Sequence, residues 1–259
     1  MTIQVRWIGH ATALIELDGV RVLTDPVLSN RLLPLVRRRA PGAPEITELA
    51  DVDAVLISHA HLDHLHLPSL RRLAAGTRLI VPAGLGRWVE RRGYRHVEEL
   101  TVGGRTHVGP IEVRATPAAH QGSRWPFGPA APALGYLLQG SSCLYFAGDT
   151  DLFDEMAELP RMLDGPLDLA LLPVGGWGPT LRGGHLDPVR AAEALRRLRP
   201  HEVIPIHWGT FWPAGLAGIR PDRFHLPARS FRAAAASVAP AVRVRLLRPG
   251  ETMRTASRP

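Results

Sequence analysis

The sequence contains no lysine, and its only cysteine is Cys143. A single thiol excludes an intramolecular disulfide framework and is typical of a reducing compartment. Residues 1–18 lack the basic and apolar segments of a signal peptide, and no apolar run is long enough to cross a bilayer. We therefore expect a cytoplasmic protein without a transmembrane segment.

Because lysine is absent, arginine carries all of the fixed positive charge, and the net charge is +7. Such a balance favours an anionic partner, which could be a nucleic acid, a lipid surface or an anionic substrate. The arginines are scattered, however, and the one dense cluster, Arg37-Arg38-Arg39, is interpreted as a solvated loop. We expect no nucleic-acid partner and favour a small-molecule or lipid-like anionic substrate.

Short β-prone runs alternate with amphipathic segments along the chain, which predicts an α/β protein with helices outside its sheets. No shift in composition marks a linker, so residues 1–259 are predicted to form one domain. Asp18-Gly19 predicts a hairpin turn, and Asp187-Pro188 predicts the start of a helix. Predicted strands cover 3–8, 13–17, 20–24, 54–58, 78–81, 108–115, 134–138, 143–146, 167–174, 203–207 and 242–247. Predicted helices cover 67–75, 84–92, 152–163, 188–198 and 228–238.

A loop rich in proline and arginine covers residues 26–44, between the opening strands and the strand at 54–58. It is longer than most connections between secondary-structure elements, and long loops of this kind often bind substrate or close over a site. We therefore predict a substrate-binding loop, and the sequence leaves open whether it acts as a lid.

The densest chemical signal is His59-Ala60-His61-Leu62-Asp63-His64, directly after the predicted strand 54–58. Three imidazoles and a carboxylate in six residues are costly to bury unpaired, and they suit zinc and neighbouring transition metals. A polar loop that happens to be rich in histidine is the less favoured interpretation. So many groups on one turn can hardly all bind one ion, so further ligands must come from elsewhere.

Three later residues have the same placement at the end of a predicted strand. His120 follows the strand near 108–115, Asp149 follows 143–146, and His207 ends 203–207. A single histidine is more often a packed or surface residue than a metal ligand. The repeated placement of ligand-type residues at strand ends nevertheless predicts that these side chains share one site.

With HxHxDH, a distant histidine, an aspartate in a Gly-Asp-Thr turn and a final histidine, the chain resembles the metallo-β-lactamase-fold hydrolases. The resemblance covers nearly the whole chain and implies a four-layer αββα sandwich with the site along one edge of both sheets. By matched position it implies a first metal held by His59, His61 and His120, a second held by Asp63, His64 and His207, and a bridge between them at Asp149. Asp25 matches an aspartate that orients the ligands without binding metal.

Within that superfamily, Trp7-Ile-Gly-His-Ala11, Leu23-Thr-Asp-Pro26 and Gly184-His185-Leu-Asp-Pro188 resemble the branch of the ascorbate-6-phosphate lactonases and N-acyl-phosphatidylethanolamine phospholipases D. The resemblance implies that His185 faces the active site as a general acid or oxyanion stabiliser. His10 and His66 are weaker candidates, because each can simply hydrogen-bond backbone.

The implied activity is metal-dependent hydrolysis of a phosphodiester, a lactone or another ester. Two divalent ions, zinc or else manganese or iron, would share a water, lower its pKa from ~15.7 toward ~7, and so supply a bridging hydroxide. Asp63, Asp149 and His185 are the residues predicted to act in catalysis. An iron-dependent oxidoreductase or dioxygenase with the same ligands is the alternative, and a nuclease is less favoured.

Overall fold

The computed structural model describes residues 2–32, 35–37, 49, 51–124, 128–176, 183–213 and 224–256, with only the backbone described at 35–37. Much of the predicted substrate loop, together with Arg38 and Arg39, lies outside these ranges. The interpretations of that loop and of the arginine cluster therefore stay predictions.

The described residues form two seven-stranded sheets and one small three-stranded sheet. Sheet I has the order β17-β1-β2-β3-β6-β7-β8, where the strands are β1 (Gln4–Gly9), β2 (Thr12–Leu17), β3 (Val20–Thr24), β6 (Ala54–Leu56), β7 (Arg78–Pro82), β8 (Val97–Leu100) and β17 (Thr252–Arg254). Sheet II has the order β16-β14-β13-β12-β11-β10-β9, where the strands are β9 (Arg105–Val108), β10 (Ile111–Pro117), β11 (Leu134–Gln139), β12 (Cys143–Phe146), β13 (Leu169–Pro173), β14 (Glu202–Ile206) and β16 (Arg243–Val244). The small sheet joins β4 (Arg31–Leu32), β5 (Leu35–Arg37) and β15 (Phe211–Pro213).

The helices lie on the outer faces of the two sheets. They are α1 (Leu67–Leu70), α2 (Gly86–Glu90), α3 (Pro188–Leu198) and α4 (Leu226–Val238), with a 3-10 helix at Asp154–Met162. Sheet I buries alternate residues on opposite sides, so that Ile15 and Leu56 face sheet II while Leu14 and Val55 pack toward α1 and α2. The predicted αββα sandwich is therefore confirmed.

Two local predictions are confirmed by backbone geometry. Asp18 and Gly19 have φ of 49° and 80°, the left-handed pair that a two-residue hairpin between β2 and β3 requires. Asp187 caps α3 by accepting hydrogen bonds from the backbone N–H groups of Val189 and Arg190, and Pro188 takes the first helical position.

Two predicted elements of sheet II are corrected. The strand expected at 108–115 begins only at Ile111, because Gly109 has a φ of 56° and reverses the chain between β9 and β10. The strand expected at 242–247 pairs with β14 only through Arg243 and Val244. The last strand along the chain is instead β17, which pairs with β1.

Three predicted helices are shorter or different in type. After Arg71 the backbone bonds run to the third residue back, as from Leu73 N–H to Leu70 O, so α1 ends well before residue 75. The helix expected at 84–92 is limited to α2, Gly86–Glu90. The segment expected at 152–163 is a 3-10 helix that contains Pro160, whose missing N–H prevents an α-helical bond.

None of the helices in the described ranges has the length and apolar character that crossing a membrane requires.

Candidate metal centre

The residues predicted to bind metal converge at one edge of both sheets, where strands of each sheet end. The HxHxDH turn follows β6 in sheet I, while His120, Asp149 and His207 follow β10, β12 and β14 in sheet II. Parallel neighbours place their C-terminal ends at the same edge, so residues far apart in sequence meet there.

A first donor group consists of His59, His61 and His120. Nδ1 of His61 lies 2.9 Å from Nε2 of His59 and 3.3 Å from Nε2 of His120. These nitrogens all lie within 4.8 Å of one another, so one cation could contact all three. The structure thus brings together the histidines that the resemblance assigned to the first metal.

A second donor group consists of Asp63, His64 and His207. Nε2 of His64 and Nε2 of His207 are 3.3 Å apart, and they lie 3.6 Å and 3.7 Å from Oδ2 of Asp63. Ligands about 2.1 Å from a tetrahedral zinc ion are themselves separated by roughly 3.3 Å. The spacing of this group is therefore compatible with a shared metal ion.

Asp149 lies between the two groups. Its Oδ2 is 3.2 Å from Nε2 of His64 and 3.9 Å from Nε2 of His59, and its Oδ1 is 3.2 Å from Nε2 of His207. Oδ1 is buried and has no hydrogen-bond partner among the described residues. A buried carboxylate oxygen left without a donor is costly, and a cation would satisfy it.

In four histidines of the site one ring nitrogen faces outward, and the hydrogen bond of that nitrogen fixes the tautomer of the ring. Nδ1 of His120 faces the carbonyl of Gly184 at 2.7 Å, and Nδ1 of His207 faces the carbonyl of Gly175 at 2.7 Å. Carbonyls only accept, so both rings carry their proton on Nδ1 and direct an unprotonated Nε2 into the site.

Asp25 and Ser58 fix the tautomers of the other two rings. Oδ2 of Asp25 accepts from Nδ1 of His64 at 2.6 Å and from Oγ of Ser58 at 2.5 Å. Because Ser58 donates to Asp25, its Oγ accepts from Nδ1 of His59 at 2.9 Å. One carboxylate thus orients His64 directly and His59 through Ser58, in agreement with the orienting role predicted for Asp25.

Ser58→Ala is expected to weaken metal binding by about 10–100-fold, the usual effect of removing a residue that orients a ligand. The cause is that Nδ1 of His59 loses its acceptor, whereas His64 keeps Asp25. Competition with a chromophoric chelator measures this effect, and Ser142→Ala, at a buried serine outside the cluster, serves as the control. Equal affinity in the wild-type protein and Ser58→Ala contradicts the orienting role.

Burial lowers the pKa of His59, His61 and His120 below the ordinary histidine value, to about 4 for His120. Burial opposes ionisation of Asp149 as well, yet electrostatic interactions with His207 and His64 hold its pKa well below the usual range. Neutral imidazoles beside an ionised carboxylate are in the protonation state that binds a cation.

In the second donor group, the ionisable side chains interact more strongly with one another and with their neighbours. Burial disfavours the charged form of His64, but Asp149, Asp63 and Asp25 together raise its pKa well above the ordinary value. Burial likewise opposes ionisation of Asp63, while His64 and a hydrogen bond from His10 hold its pKa well below the usual range. The excess of negative charge around His64 is an electrostatic environment that a divalent cation would neutralise.

The backbone is strained where the site is built. His10, Asp25 and His207 have φ of 55°, 33° and 63°, in the left-handed region that side chains with a Cβ seldom adopt. Gly148, with φ of 60°, sits where an added Cβ would lie 2.5 Å from Cβ of Ser58. Only glycine therefore allows the strand bearing Asp149 to approach the Ser58 segment so closely.

His185 lies beside Asp149, with its Nε2 3.4 Å from Oδ2 of that residue. It also belongs to a donor group with His120 and Asp149 whose ligand atoms are within 4.8 Å of one another. The structure therefore brings His185 to the site edge, whereas its role in catalysis stays a prediction.

Sequence reasoning undervalued His10. Its Nε2 lies 2.8 Å from Oδ2 of Asp63. The side chain is buried beside the second donor group, with a ring nitrogen within 4.8 Å of the ligand atoms of Asp63, His64 and His207. The Gly-His turn after β1 was the available signal, but the resemblance gave it no role. His66, the other weak candidate, bonds Ser69 Oγ through Nδ1 at 2.7 Å and belongs to no donor group among the described residues.

A sequence profile described as a Beta-lactamase superfamily domain matches residues 20–208, a span that contains all of the predicted metal ligands. The chain belongs to the beta-lactamase superfamily. It is 31% identical over 255 residues to a UPF0173 metal-dependent hydrolase from Caldivirga maquilingensis, with 96% of each chain covered. The predicted family is thereby confirmed, and this relative carries the name of the predicted class of enzyme.

A second relative of this superfamily member has a named substrate. The chain is 31% identical over 234 residues to N-acyl-phosphatidylethanolamine-hydrolyzing phospholipase D 1 from Caenorhabditis elegans. The match covers 79% of this chain and 63% of that relative, so the chain spans less than two thirds of its length.

Solved structures agree on the fold. A metallo hydrolase from the hyperthermophilic archaeon Ignicoccus hospitalis covers 100% of both chains with a TM-score of 0.74 and 25% identity. CmlA, a diiron β-hydroxylase from Streptomyces venezuelae, covers 97% of this chain and 54% of its own, with a TM-score of 0.73 and 21% identity. At that identity the likeness to CmlA concerns the fold alone.

Proposed function

We propose that this hydrolase uses two divalent metal ions, preferably zinc, to cleave a phosphodiester, a lactone or another ester. The convergence of Nε2 atoms from His59, His64, His120 and His207 on the buried Asp149 carboxylate carries the proposal. Without a cation, Oδ1 of Asp149 is buried among these nitrogens with no hydrogen-bond partner in the described part of the chain.

The proposed ligands are those of the two donor groups. His59, His61 and His120 hold one ion, Asp63, His64 and His207 hold the other, and Asp149 contacts both. When bound, the ions would lower the pKa of a shared water and polarise the electrophilic centre of the substrate. The protein can also position the attacking water, because the Asp149 carboxylate can accept a hydrogen bond from that water and keep it oriented.

His185 is proposed to act on the leaving group. It is partly exposed, with 18% of its side chain accessible, and its Nε2 lies 3.4 Å from Oδ2 of Asp149. A neutral or protonated imidazole there can donate to an oxygen that becomes negative as the bond breaks. Asp63 is proposed to contribute to catalysis by fixing the second ion.

The proposed substrate is anionic and either small or lipid-like. The net charge of +7 favours approach of an anion, and the Caenorhabditis elegans relative is named for hydrolysis of a phospholipid. We further propose that residues 1–259 act as one domain, since strands of both sheets contribute to one core. We also propose that the protein is cytoplasmic, consistent with its single cysteine.

Hydrolysis of three probe classes by protein loaded with zinc, manganese or iron tests this function. The probes are a p-nitrophenyl phosphodiester, a chromogenic lactone and an anilide, each assayed before and after removal of metal by a chelator. We expect turnover of the phosphodiester or the lactone that is lost on chelation and restored by zinc. Turnover that survives complete metal removal, or turnover of the anilide alone, contradicts the proposal.

His185→Ala is expected to keep both metal ions and to lower kcat by at least about 100-fold, the lower range for loss of a general acid. The reason is that His185 lies 3.4 Å from Asp149, is more exposed than that residue and is absent from the proposed ligand sets. Metal content and kcat are measured on the same sample, with the exposed His107→Ala as control. If His185→Ala loses a metal ion, His185 is a ligand rather than a proton donor.

An iron-dependent oxidoreductase is the second candidate, favoured by the fold likeness to the diiron β-hydroxylase and by the affinity of imidazole and carboxylate for iron. Oxygen uptake by iron-loaded protein distinguishes the two functions. The hydrolase proposal predicts that zinc-loaded protein is active and that iron-loaded protein consumes no oxygen during turnover.

A further inference from the structure

His10 occupies a strained turn between β1 and β2. Gly9 and His10 have φ of 132° and 55°, and only 2% of His10 is exposed. A histidine in the left-handed region persists only where its surroundings hold it there. The backbone of His10 is held on both sides, because its N–H donates to Thr210 Oγ1 at 2.7 Å and its carbonyl accepts from Trp7 Nε1 at 2.9 Å.

The side chain of His10 contacts Asp63, which follows β6 of sheet I. Nε2 of His10 lies 2.8 Å from Oδ2 of Asp63, and a carboxylate can only accept, so His10 carries a proton on Nε2 and donates it. The separations between Asp63, His64 and His207 donor atoms are 3.3–3.7 Å. The His10 contact is shorter, at a distance typical of a hydrogen bond.

His10 also contacts His207, which follows β14 of sheet II. The backbone N–H of His207 donates to the carbonyl of His10 at 2.9 Å, and the ring centroids of the two histidines are 3.9 Å apart. One residue therefore touches two members of the same donor group, and these two members arrive from different sheets.

We propose that His10 is a positioning residue that holds Asp63 and His207 in register and so sets the affinity for the second metal ion. The inference rests on the proposed ligand roles of those two residues. The donated hydrogen bond fixes the rotamer of Asp63, while the carbonyl of His10 fixes the backbone of His207. No contact links the His10 side chain to His59, His61 or His120 among the described interactions, so the first metal group should be insensitive to it.

The test compares His10→Phe with His10→Gln. Phenylalanine keeps a planar ring against His207 but lacks the donor, whereas the amide nitrogen of glutamine can take the place of Nε2 and donate to Asp63. His66→Phe is the matched control, because it removes another buried histidine that is bonded to a serine instead of a proposed ligand. Circular dichroism and thermal unfolding compare folding of the full-length variants.

Metal-free protein is titrated with Co²⁺, and the absorption of the bound ion reports each binding step. We expect two steps in the wild-type protein, an unchanged first step in His10→Phe, and a second step weakened by about 10–100-fold. His10→Gln should bind the second ion more tightly than His10→Phe, and His66→Phe should match the wild-type protein.

Wild-type affinity for both ions in His10→Phe overturns the positioning role and leaves the proposed function intact. Equal weakening of both steps also overturns it, because the effect is then general rather than specific to Asp63 and His207. A single binding step in the wild-type protein contradicts the two-metal function itself and removes the basis for the inference.

Discussion

Asp149→Ala is expected to lose both metal ions and to reduce hydrolysis by at least about 1000-fold, since binding of the metals lowers the barrier by several kcal/mol. Its two oxygens approach Nε2 of His64 and His207 at 3.2 Å and Nε2 of His59 at 3.9 Å. Both donor groups therefore lose the carboxylate that lies between them in one substitution. Metal content by mass spectrometry and turnover of the best probe substrate measure the effect.

Two controls separate loss of metal from loss of fold. Asp149→Asn keeps the shape of the side chain and removes its charge, so it should also bind metal poorly while unfolding near the wild-type temperature. Asp168→Ala removes another buried aspartate, one that accepts from the backbone N–H of Cys143, and it should lower stability without changing metal content. Two bound ions in Asp149→Ala would show that this carboxylate is not the bridge.

Asp63→Ala is expected to retain one metal ion and to abolish measurable hydrolysis. Oδ2 of Asp63 lies 3.6 Å from Nε2 of His64, 3.7 Å from Nε2 of His207 and 2.8 Å from Nε2 of His10. Loss of this carboxylate removes an anionic ligand from the second group only. The ratio of metal to protein should fall from two to one, whereas in Asp149→Ala it should fall toward zero.

Asp151→Ala is the matched control for Asp63→Ala, because Asp151 is a nearby carboxylate paired with Arg190 and absent from the donor groups. It should keep both ions and most of the activity. Retention of two ions and full activity in Asp63→Ala would refute the assignment of the second metal group.

The convergence of the candidate ligands could be predicted from sequence because it depends on few assumptions. Ligand-type residues recur directly after apolar strands, and the ends of neighbouring parallel strands meet at one edge of a sheet. The turn at Asp18-Gly19 and the start of α3 at Asp187 were equally accessible, since each depends on local backbone chemistry.

The orienting interactions could not be predicted in the same way because they depend on contacts between distant segments. His10 is 53 positions from Asp63, and nothing around it in sequence indicates that its ring points at that carboxylate. Ser58 acquires its role only because Asp25 follows a different strand, and Gly148 is required only because Ser58 lies so close to it. In the sequence, such tertiary contacts are visible only as a small or polar residue in a turn. Many unrelated turns contain the same types of residue.

The errors in the predicted secondary structure have local causes rather than contacts between distant segments. Amphipathic spacing predicted an α-helix at 152–163, where Pro160 and the backbone bonding favour a 3-10 helix. A continuous β-prone run concealed the reversal at Gly109. Neither error moves a candidate ligand, because the site depends on where β6, β10, β12 and β14 end.

The number of metal ions per chain tests the central claim most directly. Purified wild-type protein is stripped of metal, reloaded with excess zinc and dialysed, and its zinc and protein concentrations are then measured by mass spectrometry and amino-acid analysis. Two donor groups joined by Asp149 predict two zinc ions per chain. A ratio of one or zero in folded protein would contradict the two-metal site.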